Sequence, residues 1–225
     1  MASLKSIVSS RYYQLNGWVG QWPFTKANLN GFVREAGFEL NGLTLNAGKG
    51  EVDYQLDAER EISIDIQSDS GPEVVADLHH IPLRSETITT VVAICVLEHV
   101  ARPWDVVREF NRILKAKGKL IVEVPFINPI HAAPHDFFRF SIEGLEVVLN
   151  DNGFRVFEKR ITQPASYGMF WLWWQRLKEI KFYPLRFSAL LGLKMLSSLV
   201  GLRVQHLNVV RGSNYSQFLV AAEKI

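Results

Sequence analysis

Leu43-Thr-Leu-Asn-Ala-Gly-Lys-Gly-Glu51 decides the fold. A short apolar run enters a turn that holds Gly48 and Gly50. Glycine lets a backbone come close to a ligand and leaves its N–H groups free as donors. A bare Gly-x-Gly is weak evidence, because turns also use glycine for steric reasons. The acids that follow strengthen it. Asp65 stands in a second apolar run, Ile62-Ser-Ile-Asp-Ile66, seventeen residues after Gly48. A carboxylate at the end of a second strand can accept both hydroxyls of a ribose, as it does in nucleotide-binding βαβ units. Asp77-Leu78 closes a third run from Val74, where an acid and an apolar neighbour suit an adenine.

Further runs extend the pattern outward. Thr90-Val-Val-Ala-Ile-Cys-Val96 predicts a fourth strand and Leu120-Ile-Val-Glu-Val124 a fifth. These runs are short, rich in valine and isoleucine, and separated by helical or turn segments, which argues for βα units around a buried parallel sheet. Pro103 suits the first turn of a helix that carries Val106, Val107, Phe110, Ile113 and Leu114, with Gly118 expected as its C-cap. Ser141 is expected to cap a helix through Leu149 that stops at Asn152-Gly153. A sixth strand begins at Phe154, and Ser216-Gln-Phe-Leu-Val-Ala-Ala222 reads as a last one. Upstream, Thr25 is expected to cap a helix through Phe32 and Val33 that ends at Gly37.

Composition sets the class. The chain has 225 residues, of which 48% are hydrophobic and 21% charged, so it is globular rather than disordered. A single cysteine, Cys95, excludes an internal disulfide framework and a thiolate-rich zinc site, and it fits a reducing cytosol. The first residues contain no apolar core of signal-peptide length. A cytoplasmic protein, at most peripheral to a membrane, is expected.

The net charge of +2 hides an asymmetry. Residues 155–225 hold eleven lysines and arginines against three acids, and the preceding residues carry a net negative charge. An anionic partner for the basic part, or a solvated basic face, accounts for this equally well. Residues 167–202 combine Trp171, Trp173 and Trp174 with Arg176, Lys178, Lys181, Arg186 and Lys194. No run there reaches the roughly 20 apolar residues of a spanning helix. Two helices inserted beside the strand ends are expected, walling an acceptor pocket. Alternatives are a membrane interface, a sugar-phosphate site, or a helical lid whose aromatics fill its own core or a homodimer seam. Nucleic acid is disfavoured, because the cations are few for a long phosphate track.

The chain resembles class I S-adenosylmethionine-dependent methyltransferases of the type 11 group. The resemblance rests on Leu45-Asn-Ala-Gly-Lys-Gly50, Ile64-Asp-Ile66, Val75-Ala-Asp-Leu-His-His-Ile-Pro82, Val96-Leu-Glu-His-Val100 and Ile113-Leu-Lys-Ala-Lys-Gly-Lys-Leu120. It extends over residues 43–160. A further stretch, Ile130 to Ser141, resembles a narrower branch associated with sugar or cell-surface polymer modification.

The resemblance implies an α/β fold: a Rossmann-like sheet of seven mostly parallel strands, the last antiparallel, with helices on both faces, and the helical insert read above precedes the last strand. One domain is expected, with residues 1–40 an N-terminal helical segment, 41–163 the cofactor-binding core, 164–212 the insert and 213–225 the last strand. The resemblance also implies S-adenosyl-L-methionine as cofactor. Gly48 and Gly50, with Asn46 and Ala47 in the same turn, would line its methionine portion. Asp65 would hold the ribose, Ile66, Asp77 and Leu78 the adenine, and Ile94 and Cys95 would face the cofactor. The chain departs from the family pattern at Asn46, where an acid is usual, at Val52, often a glycine, and at Thr89, often an acid.

Methyl transfer needs an in-line nucleophile and, for a hydroxyl, a base near neutral pKa. His99, His131 and His135 are the candidates, with Asp136 to orient an imidazole and Arg139 to pair with a substrate anion or with Asp136. The i, i+4 spacing of His131 and His135 would suit a metal only on a helix, which Pro129 and Pro134 oppose, so no metal site is expected. The reading is methyl transfer to a small or lipid-linked anionic acceptor, with O-methylation of a sugar or related hydroxyl favoured. The alternative is a non-catalytic cofactor-binding or interaction module that docks through the basic aromatic insert. A nicotinamide dehydrogenase ranks third, since Gly-x-Gly-x-x-Gly is absent.

Overall fold

A computed structural model describes residues 28–50, 56–131, 135–199, 207–208 and 215–225. Val52 and Thr25, singled out above, lie outside them. One sheet organises the chain. Its strands are β1 (Leu43–Ala47), β2 (Arg60–Asp65), β3 (Val74–Val75), β4 (Ile88–Ile94), β5 (Leu114–Pro125), β6 (Phe154–Pro164), β7 (Leu207–Asn208) and β8 (Tyr215–Lys224). Their order is β3-β2-β1-β4-β5-β8-β6-β7. The first five pair in parallel. β8 runs antiparallel between β5 and β6. The seven expected strands are therefore present, with an antiparallel strand last, and β7 adds two residues to the edge at β6.

Alternation along the strands sends side chains to two cores. Leu45, Ala47, Ile64, Val91, Ala93, Leu120, Val122, Phe218 and Val220 face one side. There they meet α2 (Pro103–Ile113) through Val106, Val107, Phe110 and Ile113, and α3 (Ile142–Asp151) through Leu145 and Leu149. Val92, Ile94, Ile121, Leu219 and Ala221 face the other side, against Leu29, Phe32 and Val33 of α1 (Leu29–Glu35). The N-cap of α1 is Asn28, whose side chain accepts the Gly31 N–H at 2.9 Å. Ser141 caps α3 as expected, accepting the Gly144 N–H at 3.0 Å.

One helix end is corrected. α2 stops at Ile113, and Leu114 already has the extended backbone that opens β5. Gly118 is not a C-cap. It lies within β5, where a Cβ would come within 2.9 Å of the Lys115 carbonyl and 3.1 Å of the Thr89 carbonyl. The glycine serves a close backbone approach, and the register between β4 and β5 shifts beside it, between Ile88 and Thr90.

The insert contains two helices, α4 (Ala165–Lys178) and α5 (Tyr183–Leu199). They form a third cluster around Tyr167, Trp174 and Leu190. Gly168 sets how closely α4 sits against the loop after β5: a Cβ there would lie 1.9 Å from the Ile127 carbonyl oxygen. Among the described residues, no helix is long and apolar enough to cross a membrane.

Candidate active site

Parallel strands bring their carboxyl ends to one edge, where the chain must turn and side chains meet solvent. A cavity of about 390 Å³ opens there. Its lining joins one group of residues at the ends of β1, β2 and β3 with another after β4 and β5. Gly48, Gly50, Asp65, Ile66, Asp77 and Leu78 form the first group. Cys95, His99, His135 and Phe137 belong to the second. Nine of the positions named from sequence thus share one cavity.

The first group fits the methyl donor. Gly48 has φ +70°, and a Cβ there would strike Val96 at 2.4 Å, so the turn is as open as a backbone permits. Asp65 is nearly buried, with its carboxylate accepting the Gly50 N–H at 2.8 Å and the Gln67 N–H at 2.9 Å. Those two bonds fix the acid at the cavity wall and leave lone pairs for hydroxyls. Ile66 is 62% exposed and apolar, and an aromatic ring would cover it. Asp77 caps the short turn Leu78–His80 and accepts the His79 N–H at 2.9 Å. Burial works against its ionisation, but the His79 N–H and imidazole outweigh that and hold its carboxyl below the usual range.

Three cofactor-side candidates lie elsewhere. Ala47 and Ile94 are buried in the two cores. Asn46 points to the face opposite Leu45 and Ala47, and donates to Glu61 Oε1 at 2.9 Å. The two-residue period of a strand sends neighbours to opposite faces, so an unbroken stretch cannot line one cavity. Thr89 donates to the carbonyls of Asn41 and Leu43 at 2.7 and 2.8 Å, anchoring the turn into β1. Cys95 lines the cavity with φ +54°, strain that concentrates at functional turns. Burial pushes its thiol well above the ordinary range, so it stays protonated.

The histidines divide. His99 Nδ1 donates to the His135 carbonyl at 2.5 Å, and both residues line the cavity. His131 does not line it. Its ring lies behind His99, with centroids 5.0 Å apart, and 6.0 Å from Trp171 of the insert. Burial holds its pKa below the ordinary histidine value. Arg139 is committed to Asp136, which it grips through both guanidinium nitrogens, and to the carbonyls of Phe138 at 2.8 Å and Pro129 at 2.9 Å. Those Arg139 bonds hold the Asp136 carboxyl down at about 2. Asp136 also accepts the His131 backbone N–H at 2.9 Å. The pair shapes the loop and neither residue reaches the cavity lining.

The sequence reading passed over Glu98. It is fully buried, with no hydrogen bond from another residue to either carboxylate oxygen among the described residues. Burial pushes it up to about 8, against its own backbone N–H and the Arg139 charge. The signal was an acid inside the apolar stretch Val96-Leu-Glu-His-Val100. None of the described insert residues lines the cavity; Trp171 of the insert packs against His131, behind His99.

Residues 43–122 match the family described as a methyltransferase domain. The matched stretch is a methyltransferase domain, and the protein is an enzyme that uses S-adenosyl-L-methionine. Among solved structures, it is similar to a Thermotoga maritima SAM-dependent methyltransferase described as a possible histamine N-methyltransferase, at 15% identity and TM-score 0.58, covering 96% of each chain. It is similar to the Haemonchus contortus phosphoethanolamine N-methyltransferase 2 at 13% identity and TM-score 0.56, covering 93% of this chain and 56% of that one. The cyclase SpnF matches at 14% identity and TM-score 0.58, with 87% of this chain and 80% of that one covered. Comparison with curated protein sequences found no match. At such identities the solved structures share the fold, and a fold does not fix an acceptor.

Proposed function

We propose that this methyltransferase acts on a small or lipid-linked acceptor bearing a negative charge, and that the atom methylated is a hydroxyl oxygen, as in a sugar. The observation that carries the reading is the continuity of one cavity from Asp65 and Ile66 to His99, His135 and Phe137. Gly48, Gly50, Asp65, Ile66, Asp77 and Leu78 would hold the cofactor, which supplies an electrophilic methyl group when bound. His135 presents an exposed imidazole at the other end, placed to take a proton from a hydroxyl. Phe137 offers a half-exposed ring on which a sugar face can stack.

Support for an anionic or lipid-linked acceptor comes from the insert. Met169, Leu172 and Trp173 are exposed along one side of α4, beside Arg176. Rings and apolar groups next to cations suit an anionic lipid surface. Flotation with vesicles containing anionic lipid is expected to recover the protein at low salt, and less at high salt. Flotation on neutral vesicles alone would remove this part of the reading.

Titration calorimetry with S-adenosylhomocysteine tests the core of the proposal without an acceptor. One site per chain is expected, followed by methyl transfer to hydroxyl acceptors that carry phosphate or carboxylate. No binding by the folded protein, or transfer only to amines, would overturn it.

A further inference from the structure

We propose that Glu98, His99 and His131 together bind a divalent transition-metal ion, with zinc the best chemical match, at the histidine end of the cavity. Each residue offers one ligand atom, and these atoms all lie within 4.8 Å of one another. His99 Nε2 is 3.7 Å from Glu98 Oε1, too long for a hydrogen bond. Ligands bonded to zinc at about 2.0–2.2 Å sit closer together than 4.8 Å, so side-chain shifts of about 1 Å close the site.

Two features make this more than proximity. The first is the Glu98 carboxylate, buried without a hydrogen bond from any other described residue. Buried polar groups left unpaired are costly and rare, and an absent ligand is one of the few explanations. Arg139, whose charge acts on Glu98, spends its bonds on Asp136 and two carbonyls.

The second feature is the shared tautomer of the imidazoles. His99 Nδ1 faces the His135 carbonyl at 2.5 Å and His131 Nδ1 faces the Pro129 carbonyl at 3.2 Å. A carbonyl only accepts, so both Nδ1 atoms carry the proton and each Nε2 keeps a lone pair to offer a metal. Metal-binding histidines are oriented in this way, with the second nitrogen donating to a backbone carbonyl. The rings stand at 88° to each other, an arrangement in which lone pairs can converge.

Two imidazoles and a carboxylate are the ligand set of a zinc site that keeps a position open, and His99 borders the cavity, so the open position faces it. On the methyltransferase reading above, an acceptor hydroxyl would occupy that position. Its O–H bond breaks, the proton passes to the His135 imidazole, and the electron pair stays on an oxygen stabilised by the cation. Sequence spacing had suggested His131 with His135 and argued against a metal; the fold pairs His131 with His99 instead, across the loop after β5.

The full chain, stripped with chelator and dialysed against zinc chloride, is expected to retain one zinc per chain by elemental analysis. Cobalt substitution is expected to give the intense visible bands of a low-coordinate site. Glu98→Gln, His99→Ala and His131→Ala are each expected to weaken zinc binding at least tenfold, while His80→Ala leaves it unchanged. Zinc below about 0.2 per chain, or equal retention in all four variants, would overturn the proposal. Should a variant fail to fold, the wild-type stoichiometry and cobalt spectrum still decide. S-adenosylhomocysteine titration of the metal-free protein separates the two readings. Cofactor binding without zinc binding ends the metal proposal alone, and loss of cofactor binding by folded protein counts against the proposed function.

Discussion

Replacing Glu123 by glutamine is expected to stabilise the protein at pH 8 and leave it unchanged near pH 4. Glu123 lies on β5, 3% exposed, and accepts a hydrogen bond from the Thr162 hydroxyl. Burial raises its pKa to about 7, with the Thr162 bond pulling the other way. An unfolded glutamate titrates near 4.3. The folded state therefore holds a proton that the unfolded state has lost between about pH 4.3 and 7. Stability falls as pH rises through that window and is constant again above it. A difference of about 2.7 units is roughly 4 kcal/mol at 1.36 kcal/mol per unit, an upper bound for one group. Glutamine keeps the shape and can still accept the Thr162 hydrogen bond, but it never ionises. At 2–4 °C per kcal/mol for a chain of this size, its melting temperature at pH 8 is expected to exceed wild type by up to about 8–16 °C. Calorimetric scans of both proteins from pH 4 to 8 give a difference curve in which other titrating groups largely cancel. A difference that is flat across pH, or a wild type more stable at pH 8, would show that the ionised carboxylate has a partner and that burial is not its dominant cost.

Three further outcomes follow from the same geometry. Asp65→Ala is expected to weaken S-adenosylhomocysteine binding by about 1.5–3 kcal/mol, roughly 10- to 150-fold by calorimetry, the scale of hydrogen bonds to a charged group. His135→Ala is expected to lower the methyl-transfer rate by about 10²–10⁴ with cofactor affinity unchanged, and full activity would remove it as the base. Gly168→Ala pushes a methyl group into the Ile127 carbonyl and is expected to cost about 1–3 kcal/mol in denaturant melts, because backbone must move.

The strands were legible because buried parallel strands advertise themselves as short valine and isoleucine runs. Pro103 and Ser141 marked helix starts, since each satisfies a local backbone need. Gly118 misled, because a glycine required for close approach reads the same as one required for a cap. At the site, Gly48, Asp65 and Asp77 could be found because each ends a strand. Asn46, Ala47 and Ile94 sit within strands, where alternation and core packing decide direction. The partnership of Glu98 and His99 with His131 could not be seen, because it depends on how the loop after β5 folds back across the strand ends.

The position of β8 bears on how the protein is made. Residues 215–224 follow both β5 and β6 in the chain yet lie between them. Until the ribosome has released that segment, β5 and β6 have no common neighbour, and each exposes a row of unpaired amide and carbonyl groups. The nascent sheet can join β1, β2, β4 and β5 early, but it closes only after synthesis has passed residue 224. Such late, long-range closure slows folding and leaves open strand edges that other chains can join. A translation arrest or nonsense mutation anywhere before β8 would thus yield an adhesive fragment rather than a smaller enzyme.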